Sequence, residues 1–173
     1  MILIGLGANL PSMYGPPIAT LTKALDLLAA RSIDARACSR WYRSAPVPLS
    51  DQPWFINAVA SVETELSPAE VLRVLHGVEA DLGRARSRTQ RFPPRAADLD
   101  LLDHHGTVTG EDAWPVLPHP RMHRRSFVLA PLADVAPAWR HPVLDATAAG
   151  LLPETPGDQV CEPLAVAESG RAS

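Results

Sequence analysis

Arg91-Phe92-Pro93-Pro94-Arg95-Ala96-Ala97-Asp98-Leu99-Asp100-Leu101-Leu102 is the stretch around which the chain is arranged. From Asp98 to Leu102, polar and apolar residues alternate with period two, which predicts a short strand with Asp98 and Asp100 on one face. A rise of roughly 3.3 Å per residue starts the two carboxylates about 6.6 Å apart. That spacing is too wide for a shared proton. It suits a hard, oxygen-seeking cation such as Mg²⁺, held by one or two carboxylates together with substrate phosphates. By itself the pattern also fits an edge strand with a solvated acidic face.

The flanks favour the metal reading. Arg84, Arg86, Arg88, Arg91 and Arg95 lie upstream, and His119, Arg121, His123, Arg124 and Arg125 lie downstream, in a chain of formal net charge −3. Planar, bidentate phosphate binders beside metal-holding acids match the needs of nucleoside triphosphate chemistry, which is mostly positioning and neutralisation of charge. The competing reading is a solvated loop making weak surface ion pairs.

At 173 residues the chain suits one compact domain with a short tail. An apolar content of 46% excludes global disorder, and 18 prolines with 10 glycines predict a loop-rich fold. Lys23 is the only lysine, and overall acidity argues against generic nucleic-acid binding. Cys38 and Cys161 fit no CxxC spacing, so free thiols are expected rather than a zinc site or a disulfide framework. The run Met1-Ile2-Leu3-Ile4 has no basic leader and is soon interrupted by glycine and asparagine, so neither a signal peptide nor a membrane span is expected and the cytoplasm is the default location.

In chain order, Met1 to Leu6 predicts a strand buried on both faces. Gly5-Leu6-Gly7-Ala8-Asn9-Leu10 lacks the third glycine of a dinucleotide fingerprint, so Gly7 and Asn9 read as a tight strand exit. Pro16-Pro17 opens a helix with Ile18, Leu21, Leu25 and Leu28 on one stripe. Ile33 to Tyr42 alternates as a half-exposed strand, and the prolines between Ser44 and Pro53 predict an exposed loop. Phe55 to Thr64 is a strand with Ile56, Ala58, Ala60 and Val62 on one face and Phe55, Asn57 and Val59 on the other. An amide beside an aromatic suits the edge and face of a flat heterocycle, although a buried Asn satisfied by backbone accounts for it as well. Ser67-Pro68-Ala69-Glu70 starts a helix with a capping box, Leu72, Leu75, Val78 and Leu82 form its stripe, and Gly83 ends it. His76 and Glu79 share a face, either solvated or bordering a pocket. A helical run follows from Phe127 to Leu132, and after Pro153 the apolar pattern fades into a tail expected to be mobile.

The resulting order, βαββαβ, predicts an α+β, ferredoxin-like fold with two helices on one face of an antiparallel-dominated sheet, plus C-terminal additions. The second face then needs other cover or a ligand. The expected organisation is one domain over residues 1–152 and a tail over 153–173.

Gly7-Ala8-Asn9-Leu10, Tyr42-Arg43-Ser44, Asp51-Gln52-Pro53, Phe55-Ile56-Asn57-Ala58, Gly83-Arg84, Arg95 with Asp98-Leu99-Asp100-Leu101-Leu102, and Pro118-His119-Pro120-Arg121-Met122 with Arg125-Ser126-Phe127 together resemble the 6-hydroxymethyl-7,8-dihydropterin pyrophosphokinase family of folate biosynthesis. The resemblance extends to about Leu152. It implies a ferredoxin-like fold and transfer of pyrophosphate from ATP to the pterin hydroxymethyl group, with release of AMP. Asp98 and Asp100 are similar to the ligands of two Mg²⁺ ions, and Arg84 and Arg95 to phosphate clamps on a mobile loop. The nucleotide would also meet His76, Glu79, Phe92, Leu101, His119 and Arg125. The pterin would meet Asn57, Phe55 and Phe127, with the backbone of Ser44 and Val47. The resemblance implies no general base, small-molecule substrates and a monomer, without nucleic-acid or membrane partners.

Four features depart from the family pattern. His76 stands where Gln is common, Ala96-Ala97 where Thr-Leu is usual, and Phe92-Pro93 where Trp-Gly is usual, while the loop is one residue longer between Arg86 and Arg91. Pro93-Pro94 should stiffen that loop. Two other classes remain as alternatives: a non-catalytic ferredoxin-like module binding a small molecule or RNA, and a Mg²⁺-dependent phosphohydrolase.

Overall fold

The apolar run at the N-terminus becomes β1 (Ile2–Ala8). The computed structural model describes residues 1–83 and 96–165. In it β1 is antiparallel to β4 (Phe55–Glu63) on one side and to β5 (Asp98–His104) on the other. β2 (Asp34–Cys38) and β3 (Tyr42–Ser44) both pair with β4, and β6 (Cys161–Pro163) adds to the outer side of β3. α1 (Pro17–Ala29) joins β1 to β2 with β4 between them, and α2 (Pro68–Asp81) joins β4 to β5 with β1 between them. Two interleaved split βαβ units make the ferredoxin-like α+β plan that the element order predicts.

Alternation along the strands divides the apolar side chains between two cores. Ile2, Ile4 and Leu6, with Ala58, Ala60, Leu99 and Leu101, pack under Leu21, Ala24 and Leu28 of α1 and Val71, Leu75 and Val78 of α2. On the opposite face Leu3, Val59 and Leu102 pack against Val128, Leu129 and Leu132 of α3 (Ser126–Val135), and Trp139 and α4 (Ala148–Leu151) extend that layer. α3 covers only part of this face. The rest, around Gly5, Gly7, Asn57, Asp98 and Asp100, floors an open cleft.

The α2 start forms as expected: Ser67 Oγ accepts from Glu70 N, and the Glu70 carboxylate accepts from Ser67 N at 2.8 Å. Elsewhere the structure departs from the pattern. In α1 the buried positions are Thr20, Leu21, Ala24 and Leu28, while Ile18 is exposed. Thr20 is tolerated inside because Ser12 Oγ, 2.8 Å away, and the carbonyls of Gly15 and Pro16 satisfy its hydroxyl. In α2, Val71 is buried and Leu72 only half-buried. The strand expected from Ile33 to Tyr42 splits into β2 and β3, and β2, paired only with the far end of β4, is exposed throughout.

Gly7, read from sequence as a strand exit, is an interior member of β1. The boundary expected at Leu152 is also crossed by packing. A 3-10 turn over Leu152–Glu154 leads to β6, and Leu164 N donates to Trp41 O at 2.8 Å. Backbone pairing at a sheet edge requires no apolar pattern, so it leaves no periodic signal. Among the described residues no helix is long and apolar enough to cross a membrane.

Candidate active site

The cleft floor is set by register. Asn57 on β4 and Asp98 on β5 are both partners of Gly7, so their side chains rise on the same face from either side of a residue that has none. A Cβ at Gly7 would stand 3.4 Å from Asn57 Oδ1 and 4.0 Å from Asp98 Cβ. Gly5 is paired with Asp100 in the same way. Two glycines inside a strand thus leave the backbone open to close approach by a ligand.

At one end, Asn57 is buried and donates from Nδ2 to Ser44 Oγ at 2.9 Å, which orients the amide. Phe55 and Phe127, both half-buried, and Val47 complete this end. Asn9 holds the neighbouring loop: its Nδ2 donates to Gln52 Oε1 at 3.2 Å and to Pro53 O at 3.1 Å.

At the other end, Asp98 and Asp100 are half-buried. Arg125 Nη1 and His119 Nε2 lie 3.7 Å and 3.9 Å from Asp100 Oδ2. His119 Nδ1 accepts from Arg121 N at 3.2 Å, so the neutral ring carries its proton on Nε2, toward Asp100. Burial pulls the His119 pKa below the ordinary histidine value; Arg125 and Arg121 push it the same way, and Asp100 opposes them. The neutral ring is therefore favoured near pH 7.

α2 contributes His76 and Glu79 to the cleft wall. Glu79 is buried, and its Oε1 accepts from Leu99 N at 2.8 Å. That bond ties α2 to β5 between the two aspartates.

Ser44, Val47, Phe55, Asn57, His76, Glu79, Asp98, Asp100, His119, Arg125 and Phe127 thus meet in one cleft. Arg84, Phe92 and Arg95 lie outside the described residues. The expectation for Leu101 needs correction, because strand alternation sends its side chain into the core beneath the helices, away from Asp100. His123 turns from the cleft and packs edge-on against His141, with ring centroids 5.8 Å apart. Sequence reasoning missed Gly5 and Gly7, whose signal was glycine inside an apolar strand, and Pro156 and Gln159, which reach the cleft from the presumed tail.

Asp98 and Asp100 offer hard oxygen donors on one strand face. Among the described residues no group of three or more His, Cys, Asp and Glu side chains could hold a metal ion. A cation at the pair would draw its remaining ligands from water and substrate oxygens, which is the usual manner of Mg²⁺. The donor set fits that ion.

A family model described as 7,8-dihydro-6-hydroxymethylpterin-pyrophosphokinase (HPPK) matches residues 3–137. The chain belongs to the HPPK family. The 2-amino-4-hydroxy-6-hydroxymethyldihydropteridine pyrophosphokinase of Methylorubrum extorquens is 42% identical over 135 residues, covering 78% of this chain and 81% of that one. The protein of the same name from Synechocystis sp. is 38% identical over 141 residues, covering 81% and 68%. Among solved structures, a triple mutant of Plasmodium falciparum HPPK-DHPS aligns with a TM-score of 0.65 over 88% of this chain and 44% of that one, at 14% identity, a likeness of fold. The HPPK match spans β1 through α3 and includes every cleft residue discussed above except Pro156 and Gln159.

Proposed function

We infer that this chain transfers pyrophosphate from ATP to the hydroxymethyl group of 6-hydroxymethyl-7,8-dihydropterin, in folate biosynthesis. The observation that carries the reading is the shared cleft, with an oriented amide at one end and a carboxylate pair under Arg125 and His119 at the other. Its volume, about 1220 Å³, exceeds the roughly 300–1,000 Å³ of an ordinary small-molecule pocket. Two substrates therefore have room side by side.

Asn57 reads the heterocycle edge while Phe55 and Phe127 sandwich its faces, and the backbone at Ser44 and Val47 completes the seat. Asp98 and Asp100 hold Mg²⁺, two ions in the family pattern, which neutralise the triphosphate when bound. Arg125 and a neutral His119 contact the phosphates beside Asp100, and Arg84 and Arg95 act as clamps from the sequence that precedes β5. His76 and Phe92 border the nucleotide. Glu79 supports it through the β5 backbone, and Leu101 has only its main chain to offer. As the pterin hydroxyl oxygen bonds the β-phosphorus, the bond from that phosphorus to the α-phosphate's bridging oxygen breaks, AMP departs with that oxygen, and the hydroxyl proton is released. Such a step depends on alignment and charge neutralisation more than on a general base.

One chain supplies both ends of the cleft, so a monomer suffices. The small, soluble substrates fit a cytoplasmic protein without nucleic-acid partners. The test is incubation with ATP and Mg²⁺, with and without the hydroxymethyl pterin. AMP released only with the pterin is the expected result. Phosphate released without it would indicate a hydrolase, and absence of turnover a binding module.

A further inference from the structure

The third side of the cleft is built from chain beyond the HPPK match. Residues 156–164 run between β3 and the start of α3. Ala45 N donates to Val160 O at 3.2 Å, Leu164 N donates to Trp41 O at 2.8 Å, and β6 pairs along Tyr42–Ser44. On its other side this strap reaches the cationic wall through Gln159. The Gln159 Oε1 accepts from Ser126 N, and its Nε2 donates to Arg124 O, each at 2.9 Å. Ser126 Oγ returns a bond to Gln159 O at 3.2 Å.

The two peptide groups so held are those immediately before and after Arg125. α3 has no side-chain cap of its own at Arg125, so Gln159 also satisfies an amide of the first helical turn that would otherwise lack an intrahelical partner. Arg125 then spans from this anchored backbone to a point 3.7 Å from Asp100, with its guanidinium 5.4 Å from the centroid of the Phe127 ring.

We propose that Gln159 is a positioning residue for the nucleotide end of the cleft, its amide clasping the backbone on both sides of Arg125 and so aiming that guanidinium beside Asp100. The proposal rests on the functional reading above in one respect, that Arg125 meets the triphosphate. Without the clasp both flanking peptide planes can turn, and a long side chain magnifies a small backbone rotation at its tip. A misplacement of about 1 Å in a positioning group can cost on the order of 100-fold in rate.

A double-mutant cycle tests it. Gln159→Ala should lower kcat/KM for ATP by about tenfold, the scale of losing one or two neutral hydrogen bonds, while the KM for the pterin stays within about twofold. In an Arg125→Ala background the same substitution should change kcat/KM for ATP by less than about twofold. Calorimetric titration of a non-hydrolysable ATP analogue should show the same dependence on background. Gln159→Leu, which keeps the side-chain stem, should behave like the alanine variant. Equal losses in both backgrounds, or a lower melting temperature with unchanged kcat/KM, would overturn the proposal. So would failure of both Gln159 variants to fold, since that would mark a purely structural strap. If the wild-type protein released no pterin-dependent AMP, the functional reading would fail, and the analogue titrations would still decide the clasp.

Discussion

Asn57 and Asp98 stand on either side of Gly7, each its register partner in the sheet. With neighbouring strands about 4.8 Å apart, roughly two strand spacings separate them. A heterocycle held by the amide would therefore have a carboxylate on the far side of Gly7, with no side chain on the glycine between them.

Asp98→Ala and Asp100→Ala should each reduce AMP formation by about 100-fold or more, because charge developing on the triphosphate loses its counterweight. Both side chains are half-exposed, so the melting temperature should stay close to wild type. Assays at saturating Mg²⁺ decide the matter: near-normal turnover in either variant would remove that carboxylate from the metal site.

Asn57→Ala should weaken pterin binding by about 1–3 kcal/mol, since buried ligand groups lose their partner, with little effect on a non-hydrolysable ATP analogue. Calorimetry with each ligand separates the two. Matching losses would make Asn57 a structural residue whose task is to hold Ser44.

Glu79→Ala should lower stability by about 1–3 kcal/mol, because Leu99 N loses its acceptor in a buried setting. Glu79→Gln retains an oxygen that can accept from Leu99 N and should preserve most of that stability. Urea titration of the two variants tests this, and equal destabilisation would mean that the negative charge, rather than the bond to β5, is what matters.

Trp139 Nε1 donates to Asp103 Oδ2 at 2.9 Å, and Gly106 N donates to Asp103 Oδ1 at 3.0 Å. Trp139 and Asp103 are both buried. Trp139→Phe should therefore destabilise the fold by about 1–3 kcal/mol, seen as a lower urea midpoint with an unchanged slope. An unmoved midpoint would show that this carboxylate does not need the indole.

Arg40 donates from Nε and Nη2 to the Asp134 carboxylate, both at 2.8 Å. These bonds hold the Asp134 pKa below its ordinary 3.8. A depressed folded-state pKa contributes stability above the unfolded value and loses it as pH falls through the folded one. Asp134→Asn should consequently melt below wild type at neutral pH, and the gap should close as the pH is taken below about 4. Thermal melts across that range are the check, and a gap that stays constant would rule out the ionised pair as its source.

Much of this molecule is legible in its sequence because the deciding interactions are local. Period-two alternation put Ile56, Ala58, Ala60 and Val62 under the helices and Phe55 and Asn57 on the opposite face, and it put Asp98 and Asp100 together. The Ser67–Glu70 capping box closes within a single turn and needs nothing from the rest of the chain. Tertiary structure alone decided what depends on a partner distant in sequence. Gly7 matters because Asn57 and Asp98 land beside it from strands 50 and 91 residues away. Leu101 lies beside Asp100 in sequence but on the other side of the sheet, and Gln159 reaches the cleft from a segment whose composition suggested a loose tail. Along β3 that strap is held by backbone-to-backbone bonds, which almost any residue can make, and so it leaves no pattern in the side chains.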